Sequence, residues 1–206
     1  MKRLSIVVLP CITVVALAAL LLQGSAEAFV AMPQQTRHSC GVWSSVPSPN
    51  VGTSTNFLNG VAAISIQNVW SVGAYGNGHG GLTLVEHWNG TQWNVVASPN
   101  VNGSSSEELL GGAAIGANNI WAVGDYYTLS NTQQTLIEYW NGKNWSIVSS
   151  PNVASLFNVL TAISAISAKD IWAVGNSSGL QGYQTLIEHW DGKNWSIVPS
   201  PSLQGG

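Results

Sequence analysis

The residues best placed to do chemistry in this 206-residue chain are three glutamates, each with the same kind of neighbour: Glu86-His87, Glu138-Tyr139 and Glu188-His189. A carboxylate beside an imidazole is half of an acid–base pair. In an extended chain, however, adjacent side chains point to opposite faces, so Glu86 and His87 do not share a proton. A pair copied through a repeat is also a poor single active centre. The expected role is structural, with each glutamate hydrogen-bonded across neighbouring units or to backbone donors. Other catalytic signals are sparse. His38, His79, His87 and His189 have no metal-ligand spacing, and no DxDxDG calcium loop occurs. Ser104-Ser105-Ser106 lies in no GxSxG elbow. Sequons such as Asn89, Asn144 and Asn194, the last two built from strand-forming Asn-Trp-Ser, read as by-products of the repeat, with no glycosylation assigned. No enzyme, metal or cofactor is expected.

The elements that must position these residues are written three times. Trp43, Trp93, Trp145 and Trp195 recur about every 50 residues, as do Trp70, Trp121 and Trp172, and Trp88, Trp140 and Trp190. Each unit divides into four short strand-like segments. The first is NGVAAISI (Asn59 to Ile66), GGAAIGA or LTAISAIS. A turn ending in Asn68, Asn119 or Asp170 leads to VWSVG or IWAVG, because Asn and Asp tolerate a left-handed backbone. TLVEHW and its copies follow. Asn89-Gly90, Asn141-Gly142 and Asp191-Gly192 then predict tight hairpins, since both positions accept positive φ. The last segment ends at Pro99, Pro151 or Pro201, which cannot donate to a ladder and closes an outer strand. One unit cannot bury both faces of its own sheet, so repeating the phrase repeats the surface through which units stack. The nine recurrent tryptophans, Trp70, Trp88, Trp93, Trp121, Trp140, Trp145, Trp172, Trp190 and Trp195, are expected in that core.

Four antiparallel strands per repeat describe one blade of a β-propeller. KDIWAVG and EHWDGKNWSIVPSP resemble kelch-type blades of the galactose-oxidase-like kind, here of bacterial type, from about Gly41 to Pro201. The family's Gly-Gly pair stands as Gly73-Ala74, Gly124-Asp125 and Gly175-Asn176, and the aromatic-to-Trp turn is shorter. The sialidase-type Asp-box does not match, because Trp88, Trp140 or Trp190 holds the place of its aspartate. The expected fold is all-β: a propeller-like array of four-stranded antiparallel blades at 57–100, 107–152 and 157–201. A spare outer strand at 41–50, carrying Trp43, has no blade of its own. Propellers close with four to eight blades, so the chain is expected to be a truncated relative of a larger propeller, or to self-associate through open blade ends. The resemblance implies that the loops at 75–81, 125–134 and 176–184, with 100–108, emerge on one face that carries the ligand site. His79, Asp125, Tyr126, Tyr127, Tyr183 and Gln184 are then the candidate contacts for a protein or carbohydrate ligand.

Composition agrees with an exported binding scaffold. Lys2 and Arg3, an uncharged run from Leu4 to Leu22 and Ala26-Glu27-Ala28 are the parts of a signal peptide over 1–28, with cleavage expected before Phe29. An uncleaved membrane anchor is the alternative. Residues 29–40 read as a linker. The remainder keeps four basic and eight acidic residues, a net charge of −4, which excludes nucleic-acid binding and attraction to anionic lipid. Its single Cys40 allows no intrachain disulfide, and reads as a partly buried small side chain.

Overall fold

The computed structural model describes residues 44–52, 54–153, 156–179 and 182–201. The signal-peptide and linker readings, Cys40 and Trp43 lie outside them. The described residues are all-β and fall in one compact unit. Blade 1 is β1 (Asn56–Ser65), β2 (Asn68–Gly76), β3 (Gly81–Trp88) and β4 (Trp93–Val96). Blade 2 is β5 (Ser104–Gly116), β6 (Asn119–Thr128), β7 (Gln133–Trp140) and β8 (Trp145–Ile147). Blade 3 is β9 (Phe157–Ser167), β10 (Asp170–Gly179), β11 (Gly182–Trp190) and β12 (Trp195–Ile197). Each blade is a four-stranded antiparallel meander in chain order, the arrangement of a propeller blade. Gly90, Gly142 and Gly192 reverse the chain at φ of 95°, 92° and 97°. The preceding Asn89, Asn141 or Asp191 side chain accepts two backbone N–H groups of its own turn.

The blades form wedges. Their inner strands meet backbone to backbone: a Cβ on Gly60 would lie 3.0 Å from the Gly111 Cα, and one on Gly111 3.2 Å from the Ala162 Cα. Farther out, side chains fill the widening gap. Trp70, Val72 and Val85 of blade 1 pack on Leu109, Ile120, Ala122, Leu136 and Trp145 of blade 2. The contact repeats with Trp121, Val123 and Ile137 on Leu160, Ile171, Ala173, Leu186 and Trp195. Indoles meet tilted or edge-on, Trp70 at 5.7 Å from Trp145 and Trp121 at 5.7 Å from Trp195, as ring quadrupoles favour.

Two expectations are corrected here. Of the nine tryptophans assigned to the core, Trp70, Trp121, Trp145 and Trp195 are buried. Trp140 and Trp190 are half-buried and pack against the core, while Trp88 and Trp93 are half-buried without joining either cluster. Trp88, Trp140 and Trp190 sit at the outer hairpins, where each indole N–H donates to the carbonyl of Ile66, Ala117 or Ala168. Trp172 is 36% exposed, because no described blade follows blade 3 to cover it. Second, Ser44–Asn50, within the expected spare strand, pairs with no strand. An outer strand needs the free edge of a third strand, and β4 already occupies that edge of β3. The segment instead sends the Ser48 hydroxyl to Glu86 Oε2 at 2.7 Å.

The repeat supplies its own control for the packing argument. Trp121→Ala is expected to cost about 3–5 kcal/mol, the usual range for a buried tryptophan. The equivalent Trp172→Ala should cost roughly 1 kcal/mol or less, since its indole is already partly in water. Urea unfolding of the two variants measures the difference; equal losses would show that stacking of blades is not what stabilises them.

Candidate functional site

The expected loop face exists as one end of the array, but its candidate residues stand mostly on strands. Asp125, Tyr126 and Tyr127 belong to β6, and Tyr183 and Gln184 to β11. Their ladders continue through Tyr126↔Gln134, Tyr127↔Gln133, Ser177↔Gln184 and Ser178↔Tyr183. The loop expected at 125–134 shrinks to 129–132, and that at 75–81 to 77–80. The 100–108 stretch likewise gives Ser104 onward to β5. Tyr and Thr favour a pleated surface, which explains why a polar sequence here stays in the sheet.

Of the six candidates, Asp125 and Tyr127 wall an open cavity of about 400 Å³ with Glu107, Glu108 and Ser106 of blade 2 and Tyr75 and four glycines of blade 1. Tyr126 points elsewhere: strand alternation turns it to the blade 1 contact, where its hydroxyl donates to Gln134 Oε1 at 2.6 Å. His79 is exposed on the 77–80 turn, its backbone N–H held by Asn77 Oδ1. Tyr183 is 73% exposed and meets the Phe157 ring edge-on. Gln184 is exposed on β11. The structure therefore joins two of the six in one cavity, which the other four do not line.

The cavity is acidic because blade 2 departs from its neighbours. Strand register places Glu107 opposite Tyr126 and Glu108 opposite Asp125. The same places hold Asn56 and Phe57–Ala74 in blade 1, and Asn158 and Val159–Asn176 in blade 3. Three carboxylates thus replace amides and apolar groups in one blade only. Asp125 is 1% exposed; Gln133 Nε2 donates to its Oδ2 at 2.6 Å, while its Oδ1 has no partner among the described residues. Burial is the main cause that lifts its carboxyl to about 7; the Gln133 hydrogen bond opposes this and the Glu108 charge adds to it. Burial also raises Glu107, against hydrogen bonds from the Ser104 hydroxyl and the Val101 N–H. Its Oε2 has no partner among the described residues. Glu107, Glu108 and Gln133 were not among the sequence candidates. For Glu107 the signal was available in the repeat, as the only acidic copy of an otherwise Asn-bearing position.

The recurrent glutamates do a different job. Glu86, Glu138 and Glu188 are fully buried. Each accepts a hydroxyl from the Ser-Pro-Asn linker that precedes its blade: Ser48 at 2.7 Å, Ser98 at 2.5 Å and Ser150 at 2.8 Å. His87 and His189 leave the opposite face, stack on Trp70 and Trp172 at 4.3 Å, and hydrogen-bond Asn68 and Asp170 at 2.9 Å. Glutamate and histidine are thus separated by the sheet, so they form no acid–base pair. Among the described residues no three His, Cys, Asp or Glu side chains gather as a metal site.

No family model matches the chain, and no curated protein does. A solved structure described as YCF48 bound to D1 peptide is similar at 17% identity over 74% of this chain, with a TM-score of 0.47. This chain spans 46% of that one, less than half its length.

Proposed function

We propose that this chain is a secreted, non-catalytic, kelch-like propeller scaffold that binds a protein or carbohydrate ligand at the end of the array carrying Asp125. The observation that supports this reading is the departure of blade 2 from the repeat. A residue that recurs builds the scaffold, whereas one that appears once, at the cost of burying a carboxyl, needs another reason. Glu107 and Asp125 each keep a carboxylate oxygen without a donor at the wall of a cavity. A ligand rich in N–H or O–H donors would satisfy such a wall, and Tyr75 and Tyr127 offer ring faces beside it.

The repeat also supplies the variants that test it. Asp125→Asn and Glu107→Asn install the residues of the equivalent blade 3 positions, so both should fold. Binding found on a glycan or peptide array is expected to fall at least about tenfold in either variant. Binding that both variants keep would remove the site from this end. A second reading, a fragment of an oxidase- or lyase-type propeller enzyme, draws on Asp125 alone, because a carboxyl poised near 7 suits a general acid or base. Turnover of an uronic-acid polymer that Asp125→Asn abolishes would favour that lyase reading over the scaffold.

A further inference from the structure

We infer that the group of the ligand that enters the cavity at Asp125 is an organic cation, a guanidinium or a primary ammonium, an inference that rests on the binding role proposed for this end of the array. Glu107 and Asp125 line the cavity and are 2% and 1% exposed. The buried polar atoms left without a partner there among the described residues are all acceptors: Glu107 Oε2, Asp125 Oδ1 and Oε1 of Gln133, the amide bonded to Asp125. A carboxylate held out of water needs donors, and a ligand group that brings acceptors of its own adds to the surplus. A sugar hydroxyl or a peptide amide brings an acceptor with each donor. A guanidinium brings five N–H donors and an ammonium three, with no acceptor and with a positive charge that strengthens each bond to a carboxylate.

The distribution of charge points the same way. No lysine, arginine or histidine lines the cavity, and Glu108 adds a third carboxyl to its wall. The three lysines among the described residues, Lys143, Lys169 and Lys193, sit in the β7–β8, β9–β10 and β11–β12 turns, at the other end of the blades. Tyr75 and Tyr127 line the same cavity, and a tyrosine ring face attracts a cation within about 6 Å of its centre.

Pairing with a cation requires Asp125 to be ionised, while burial lifts its carboxyl to about 7. Binding should therefore release a proton and strengthen as pH rises through that value. The groups that face Asp125 are Glu107 and Glu108 of β5, Tyr127 of its own strand, Gln133 of β7 and, across the cavity, Tyr75 of blade 1. Glu138 interacts with Glu107, Tyr183 with Tyr127, and β9 carries no titratable side chain. The nearby 77–80 turn carries the exposed His79, so the pH series is run on the His79→Gln protein to keep its charge out of the comparison.

Fluorescence polarisation with a labelled Gly-Gly-Arg-Gly-Gly peptide, beside the same peptide with citrulline in place of arginine, reads the preference. Citrulline keeps the shape of arginine without its charge. A glucosamine tetramer and its N-acetylated counterpart make the same comparison on a sugar. The charged member of at least one pair is expected to bind at least about tenfold tighter than the neutral one, and the pair that shows it tells whether peptide or sugar carries the cation. Its affinity should rise about tenfold between about pH 6 and about pH 8. Asp125→Asn should abolish the preference. Asp191→Asn, which removes the same charge at the other end and installs the residue that Asn89 and Asn141 supply in blades 1 and 2, should leave it intact. Equal losses in the two variants overturn the inference, as does affinity that falls with rising pH. If the neutral members bind as tightly and Asp125→Asn weakens them, the cation is wrong and the binding end stands. If no member of either pair responds to Asp125→Asn, both fall.

Discussion

Gly124→Ala is expected to destabilise the protein by roughly 3 kcal/mol or more, a larger loss than most single substitutions produce. An ideal Cβ at this position would lie 1.9 Å from the Glu108 carbonyl oxygen and 2.9 Å from the Leu109 Cα. Both obstacles are backbone, so neither can move aside by changing rotamer. β6 is also held between β5 and β7 and cannot retreat. Gly73 and Gly175 face the same 1.9 Å approach, from the carbonyls of Phe57 and Val159. The inner strand bulges between Leu58 and Gly60 in blade 1 and between Leu109 and Gly111 in blade 2, which throws that carbonyl towards the glycine. For a domain of this size the loss corresponds to a melting temperature lower by roughly 6–12 °C. Gly116→Ala is the control, since nothing lies within 4 Å of its Cβ position. Equal melting of the two variants would sink the explanation. Only the first position of the family's pair is constrained in that way: the residues that follow the three glycines, Ala74, Asp125 and Asn176, all carry a side chain.

Stability should fall as pH rises from mildly acidic to alkaline, the reverse of a protein whose carboxylates are ion-paired. Burial, opposed in each case by one serine hydroxyl, lifts Glu138 to about 8 and Glu188 to about 7. Asp125 reaches about 7, and Glu86 and Glu107 are raised for the same reason. All five lie above their ordinary values, so the folded state holds protons that the unfolded chain has released. Their contribution is complete below the unfolded pKa values, near 4, and is lost as pH climbs through 7 to 8. A tenfold difference in proton affinity between the folded and unfolded chain is worth about 1.4 kcal/mol for each group, and the losses of the separate groups add between about pH 5 and about pH 9. Glu138→Gln keeps an acceptor for Ser98 without the ionisable proton. It should flatten part of the slope and raise stability at alkaline pH. Denaturant unfolding across pH measures both. A flat or rising profile in the parent protein would mean these carboxyls are ionised in the fold.

Repetition made the architecture legible: a phrase written three times declared its own strands, and the Asn-Gly and Asp-Gly pairs placed the hairpins where they occur. The separation of Glu86 from His87 followed from alternation alone. The serine partners of the glutamates were not legible. Ser98 lies 40 residues before Glu138, and only the stacking of blades brings them together. The exposure of Trp172 was hidden for a related reason, since its strand context matches that of Trp121 and the difference lies in whether another blade stacks over the indole. Asp125 was named from the sequence, but as a loop residue. Its strand neighbours Tyr126, Tyr127 and Thr128 carried a β preference that outweighed the polarity used to draw the loop.

The serine linkers also bear on the order in which the chain leaves the ribosome. Ser48, Ser98 and Ser150 each come before the glutamate they serve, so every blade emerges with the donor for its carboxyl already in place. The apolar triad of a finished blade likewise waits for residues still to be synthesised, as Trp70 waits for Trp145. Vectorial synthesis would then add one blade at a time in register, with a single uncovered face at each pause.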